Sequence, residues 1–471
     1  MRVLLISSLA VAASVFAVEP AVQAQEATNA SPTAEEPLTA SAYADLAGRV
    51  IFASRAEAKS SLDQLEKRGD PDVAATLIMA MRFSNHLRQG ELVTALETVT
   101  GAEPGPDWFD WMLWQQAQTD LEPHPGHLLV QRRLFAAIDP RFLDFLPPDV
   151  KHSIRTEEIV WGGVVVDGIP ALTNPSLLRP EEATYLRPTD EVFGVEINGD
   201  ARAYPLRILN WHEMFNDVIG GVPVSLAYCT LCGAGILFDT SVQGRDEPFV
   251  FGSSGFLYRS NKLMYDQETN SLWNQFTGKP VVGPLTDSGI ELSILPVTIT
   301  SWEAWLADHP DTTVIDVETG YRRDYGSGVA YREYFASPDL MFPAMLEDDA
   351  LRVKDRIFGV RLPGGAKAWP LEAFADSAVI NDTVGFNHLV LVGDASTSTV
   401  RAYERGQDQT FAQGDRPGVL TSEAGEEYRV TEGALVPTKG GEEIPRVPGH
   451  VAYWFAWAGY LGDATELYEL P

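Results

Sequence analysis

From Ser41 to about Phe145 the apolar residues recur with a helical period. Ser54-Arg55-Ala56-Glu57 opens a run that sets Ala58, Leu62 and Leu65 on one face, and Lys67-Arg68-Gly69 closes it. Asp70-Pro71 restarts the chain as N-cap and first helical residue, with Val73, Leu77 and Met81 at four-residue spacing. A further helix carries Leu92, Leu96 and Val99. Trp108, Trp111 and Trp114, at three-residue spacing, read as core or inter-domain packing. His124 and His127 lie in Pro-His-Pro-Gly-His, which reads as a turn with two surface histidines rather than a metal pair.

After residue 150 the pattern becomes strand-like. Val192–Asn198 and Ala201–Leu206 flank Asn198-Gly199, a strong hairpin signal because both turn positions tolerate a left-handed backbone. A second copy follows at Ile357–Leu371. Gly194 pairs with Gly359, an offset of 359 − 194 = 165. At that offset Ala201/Ala366, Arg202/Lys367, Pro205/Pro370, Asn216/Asn381, Asp217/Asp382 and Gly220/Gly385 coincide. Leu295-Pro296 with Trp302 and Trp305 parallels Val447-Pro448 with Trp454 and Trp457. Each copy reads as hairpin, short helix, strands, then a Trp-bearing helix. The expected fold is therefore α+β. A helical region at 41–150, whose helices and short turns resemble HEAT-like pairs, precedes two duplicated, mostly antiparallel β-rich units with short helices. The first unit spans 155–345 and the second 346–471. The helical region is a candidate surface for a protein partner.

Composition narrows the function. The chain has 471 residues, with 35 Lys+Arg against 66 Asp+Glu, so its net charge is −31. A surface that acidic repels phosphate backbones, which argues against nucleic-acid binding. Arg2, the apolar run Val3–Val18 and Val22-Gln23-Ala24 form a cleavable signal peptide, residues 1–24, with cleavage expected after Ala24. Residues 25–40, rich in Ala, Thr, Glu and Pro, read as a disordered linker. No later segment is long and apolar enough to span a membrane, so the mature chain is expected to be soluble, periplasmic or secreted.

The duplication serves as an internal control. Residues shared by both copies serve the fold, and residues in one copy are candidates for chemistry. At the 165 offset Asn210-Trp211-His212-Glu213 faces Ala375-Asp376-Ser377-Ala378, and Cys229-Thr230-Leu231-Cys232-Gly233 faces Asp394-Ala395-Ser396-Thr397-Ser398. The first copy alone holds the His-Glu pair and both cysteines of the chain, so the second reads as a degenerate copy.

At these motifs the chain resembles the DUF3179 family. The residues that carry the likeness are Gly194–Leu206, Leu209-Asn210-Trp211-His212-Glu213, Tyr228-Cys229-Thr230-Leu231-Cys232-Gly233, Phe251-Gly252-Ser253-Ser254-Gly255, Leu263-Met264-Tyr265-Asp266, Ser271–Gln275 and Arg323-Asp324-Tyr325-Gly326. Thr230 stands where that family usually has Pro. The resemblance implies an exported protein and supplies no substrate.

Three readings of the cysteines stay open. In the first, Cys229, Cys232 and His212 bind one metal ion, Zn or Cu. Glu213 and Asp217 then serve as catalytic carboxylates, ligands or supports. In the second, the pair is a thiol–disulfide couple of a periplasmic oxidoreductase. In the third, it is a structural disulfide in a non-enzymatic binding or scaffold protein. Haem attachment is excluded because Gly233 stands where His must follow. No P-loop, G-x-G-x-x-G or H-E-x-x-H occurs, so nucleotide chemistry has no support. Gly252-Ser253-Ser254-Gly255 is one residue short of a nucleophile elbow and is read as hydroxyls in a flexible setting.

Overall fold

The helical region forms where its caps predict. Ser54 accepts from the Glu57 N–H while the Glu57 carboxylate accepts from Ser54, and this capping box starts the helix Arg55–Arg68, which ends on Gly69 at φ 67°. Asp70 caps the turn Pro71–Val73 that leads into the helix Ala74–Arg82. That helix is buried on nearly all sides and packs against Ala40–Phe52, His86–Thr100, Trp108–Ala117 and His127–Ile138. A helix apolar all round has to sit centrally, and this one does. Trp111 is fully buried and meets Trp114 edge-on, while the Arg82 guanidinium lies over Trp108. The tryptophan stripe is packing. The structure, a computed structural model, describes residues 38–346, 350–375 and 378–470. The signal peptide, all but the end of the linker, and Asp376 and Ser377 lie outside the described residues.

His124 and His127 are corrections to the sequence reading, because neither is at the surface. They are 5% and 2% exposed. Gly126 packs so closely that a Cβ there would stand 2.5 Å from the Ala40 carbonyl. His124 stacks on Tyr43 at 3.9 Å, and the His127 Nδ1 meets Thr76 Oγ1 at 2.8 Å. Burial lowers the His127 pKa from 6.5 to about 4. A histidine depressed in this way favours folding while it stays neutral. As pH falls below 6.5 the unfolded chain takes up the proton first, and stability drops until the folded value is reached. Between pH 7 and pH 4 the wild-type chain should therefore lose about 3 kcal/mol more than His127→Gln. Urea denaturation at both pH values measures the difference.

The β-rich region is α+β, as expected. Asn198 and Gly199, at φ 52° and 80°, join the strands Glu191–Ile197 and Asp200–Pro205. These strands lie in a sheet ordered Thr298–Ser301, Glu191–Ile197, Asp200–Pro205, Thr313–Ile315, Leu177–Leu178. A second sheet is ordered Gly449–Tyr453, Arg356–Leu362, Gly365–Pro370, Thr465–Leu467. In each sheet the last of the first four strands runs parallel to its neighbour and the others pair antiparallel. The details also match. A Cβ on Gly194 would meet the Trp305 ring at 2.2 Å, and one on Gly359 would meet Trp457 at 2.2 Å. The Asn216 amide exchanges two hydrogen bonds with the Phe251 backbone, as Asn381 does with Phe411. The first half adds two five-stranded sheets, one ordered Ser293–Leu295, Ala234–Asp239, Val222–Cys229, Met214–Ile219, Leu172–Thr173. Among the described residues no helix is long and apolar enough to cross a membrane.

Candidate functional site

Pro205 leads into the short helix Leu206–His212, which stops at Glu213 in the left-handed region, φ 54°. This cap sends His212 and Glu213 to different neighbours. His212 is fully buried, with Nδ1 2.8 Å from the Pro170 carbonyl and Nε2 2.6 Å from the Tyr325 hydroxyl. Facing a carbonyl, Nδ1 carries the proton, so Nε2 accepts from Tyr325. Burial lowers the His212 pKa even though Pro170 favours the charged form, which fits a neutral ring. The Tyr325 hydroxyl also meets Thr319 Oγ1 at 2.6 Å. These partners, not the cysteines, occupy the imidazole.

Glu213 faces the cysteine turn. Thr230 Oγ1 donates to one carboxylate oxygen at 3.2 Å, and the other lies 2.8 Å from Lys262 Nζ. Lys262 is 3% exposed. Burial lowers its pKa, against the pull of Glu213 in the opposite direction.

The cysteines lie at the turn between the strands Val222–Cys229 and Ala234–Asp239, with Gly233 at φ 60°. Their sulfurs are bonded to one another across a Cα separation of 5.2 Å. Both cysteines are buried, at 2% and 0% exposure. Gln275 fixes the stems of the turn by donating to the Ala227 and Ala234 carbonyls at 2.8 and 3.0 Å. The Tyr453 N–H of the second half donates to the Cys232 carbonyl at 2.8 Å. Tyr334 Oη, on the short helix Arg332–Ala336, donates to the Leu231 carbonyl at 2.7 Å.

A second hairpin completes the surroundings. The strands Phe251–Tyr258 and Asn261–Asp266 are joined by Arg259 and Ser260, both non-glycine residues at positive φ (47° and 63°). Glu158 holds Arg259 in place at 2.7 Å. The Ser260 carbonyl lies 3.8 Å from Cys232 Sγ. Ser260 Oγ and both amide atoms of Asn261 are buried with no hydrogen-bond partner among the described residues. The Phe251–Gly255 segment is a buried strand rather than a flexible one, and Ser254 Oγ donates to the Leu263 carbonyl at 2.5 Å.

The fold thus gathers Cys229, Cys232, Thr230 and Glu213, with Lys262, Ser260 and Asn261 beside them. It leaves His212 with Tyr325. Asp217 sits elsewhere, accepting from Tyr204 at 2.7 Å and pairing with Arg202 at 2.8 Å. Asp382 does the same in the second half with Trp369 and Lys367, at 2.9 and 3.0 Å. Among the described residues no cluster of three or more His, Cys, Asp or Glu side chains is placed to hold a metal ion. The sequence reading missed Lys262. Its signal was a lone cation in Asn-Lys-Leu-Met-Tyr-Asp, a strand that is buried throughout.

Comparison with known proteins gives one finding. The family model described as "Protein of unknown function (DUF3179)" matches residues 166–464, more than half of the chain. No curated protein and no solved structure matches.

Proposed function

The chain belongs to the DUF3179 family, which carries no assigned activity, and from its residues we propose that Cys229 and Cys232 form a reversible thiol–disulfide couple. The observation that carries this reading is the bonded pair itself, in a turn beside a hairpin whose Ser260 carbonyl lies 3.8 Å from Cys232 Sγ. On that hairpin Ser260 Oγ and both amide atoms of Asn261 are buried without hydrogen-bond partners among the described residues. Such groups are costly unless some state satisfies them. On reduction the Cys232 thiol is placed to donate to the Ser260 carbonyl, 3.8 Å from its sulfur. A metal site would instead call for free thiolates and for a His212 released from Pro170 and Tyr325.

In the exchange, a thiolate of a partner attacks one sulfur, the Cys229–Cys232 bond breaks, and the departing sulfur leaves as a thiolate that is then protonated. A second partner thiolate attacks the first partner's sulfur in the mixed disulfide, and the protein's cysteine leaves as a thiolate that is then protonated. The partner is oxidised to its disulfide, and the couple gains two electrons and two protons. The Glu213–Lys262 pair is linked to the cysteine turn through Thr230. Glu213, Arg259 and Ser260, all at positive φ around the turn, supply the strain common at working sites. Asp217 is read as a fold residue, because Asp382 repeats its role. We further infer that the halves are copies of one unit and that only the first keeps this centre.

The test is turnover. The full-length protein should catalyse exchange between a low-molecular-weight dithiol and a protein disulfide, and Cys229→Ser and Cys232→Ser should each abolish it. Metal analysis of the reduced protein runs alongside. Stoichiometric zinc or copper that is lost in Cys229→Ser, with no exchange activity, would replace this reading with the metal one.

A further inference from the structure

A cleft of about 770 Å³ opens where the two halves meet, and neither cysteine lines it. Binding there does not depend on the redox reading of the cysteines. The first half supplies Phe276, Lys279 and the segment 291–294, and the second supplies Arg361, Leu362 and Leu461. The volume falls within the range of small-molecule sites.

Most of the lining is apolar. Ile294, Leu362, Pro448 and Leu461 line the cleft and are only half-buried, so each keeps accessible surface. The His450 ring, also in the lining, meets Phe276 and Trp457 at 5.3 and 5.4 Å between centroids. Burial, and then the charge of Arg361, lowers the His450 pKa to about 3, so this ring is neutral.

The charges of the cleft sit on Lys279, Glu291 and Arg361. The Glu291 carboxylate lies 3.0 Å from Lys279 Nζ but 3.8 Å from the Arg361 guanidinium. The first is a close ion pair, and the second is too long for a hydrogen bond. Arg361 makes no hydrogen bond among the described residues, and its side chain keeps 27% of its surface accessible. Two cations thus share one carboxylate. The cleft carries one net positive charge, 2 − 1 = 1, in a chain whose total is −31.

The comparison of the halves points the same way. At the 165 offset Arg361 stands where the first half has Glu196, 361 − 196 = 165. At the offset of 152 that relates Trp305 to Trp457, Leu461 stands where the first half has His309, 461 − 309 = 152. Glu196 and His309 lie 3.7 Å apart and line a different cleft. The cation and the aliphatic wall are therefore particular to the second half.

The occupant that fits has one anionic end and an apolar body. A cation would be repelled by Arg361 and Lys279. A neutral hydrophobe would leave the positive charge unpaired. A sugar phosphate would press its hydroxyls on the aliphatic wall. We propose that this cleft binds a small monocarboxylate with an apolar tail, its carboxylate on the planar fork of Arg361 and its tail on Leu362, Pro448 and Leu461.

Calorimetry on the full chain tests this with octanoate, hexanoate, octanamide, which lacks the charge, and octylammonium, which reverses it. Octanoate is expected to bind saturably. Octanamide should bind about tenfold or more weakly, for want of the charged hydrogen bonds. Hexanoate should also be weaker by about tenfold, because two methylenes leave the wall. Octylammonium should not bind. Arg361→Gln should weaken octanoate by about tenfold or more and leave octanamide unchanged. Lys279→Gln should weaken octanoate too, because Glu291 is then free to neutralise Arg361. Thermal melts of both variants confirm that they fold. The proposal is overturned if octanoate does not bind at millimolar concentration, if octanamide, hexanoate or octylammonium binds as tightly, or if folded Arg361→Gln binds octanoate like the wild type.

Discussion

Replacing Lys262 by Met should destabilise the protein by about 3–5 kcal/mol, because it leaves the Glu213 carboxylate buried beside Thr230 without its counter-charge. Lys262→Met combined with Glu213→Leu should recover most of that loss. Two uncompensated charges are costly singly, whereas an apolar pair of similar volume restores packing. Chemical denaturation of the single and double variants gives the coupling directly. The redox behaviour separates a structural pair from a working one. If Lys262 and Glu213 only fill space, the double variant keeps the wild-type reduction potential. If they act on the cysteine turn, the double variant folds but its reduction potential departs from that of the wild type.

The second large effect is expected at Glu432. It is 4% exposed, accepts from Thr298 Oγ1 at 2.7 Å and Arg401 Nε at 2.7 Å, and is paired with Arg446. Arg446 in turn donates to the Val297 carbonyl at 3.1 Å, so the cluster ties the second half to the strand Thr298–Ser301 of the first. Burial alone would raise the Glu432 pKa, but Arg401 and Arg446 overcome it and hold the value well below 4.5. Glu432→Ala strands two buried guanidinium groups and should cost about 3–5 kcal/mol. The pH dependence has a definite sign. A carboxylate depressed in the folded state contributes its full stability above the unfolded value and loses it as pH falls toward the folded value. The gap between wild type and Glu432→Ala should therefore be widest above pH 4.5 and narrow as the solution is acidified below it. Denaturation midpoints across about pH 3 to 7 measure this.

The features legible in the sequence are those set by local chemistry. Asn198-Gly199 announced its hairpin because few other residues accept both left-handed turn positions. Ser54, Asp70 and the glycines after the helices marked helix ends through backbone groups they cap or release. The Cys-x-x-Cys-Gly turn between strands was readable from its flanking apolar runs. Contacts set by tertiary packing were hidden. His124 and His127 sit in a polar-looking turn, and their packing on Tyr43 and Thr76, distant in sequence, holds them inside. His212 and Glu213 are neighbours in sequence, yet the left-handed cap at Glu213 parts them, so adjacency suggested a shared site where the fold makes two. Lys262 reaches Glu213 across 262 − 213 = 49 residues, a partnership no local pattern encodes.

The most direct measurement is an equilibrium redox titration of the folded, full-length protein in buffers of defined dithiol-to-disulfide ratio, with Cys229 and Cys232 counted by thiol trapping and the fold followed by circular dichroism. A reversible two-electron transition with the tertiary signal intact is the predicted result. Cysteines that become trappable only as the tertiary signal collapses would mark the bond as structural and contradict the account.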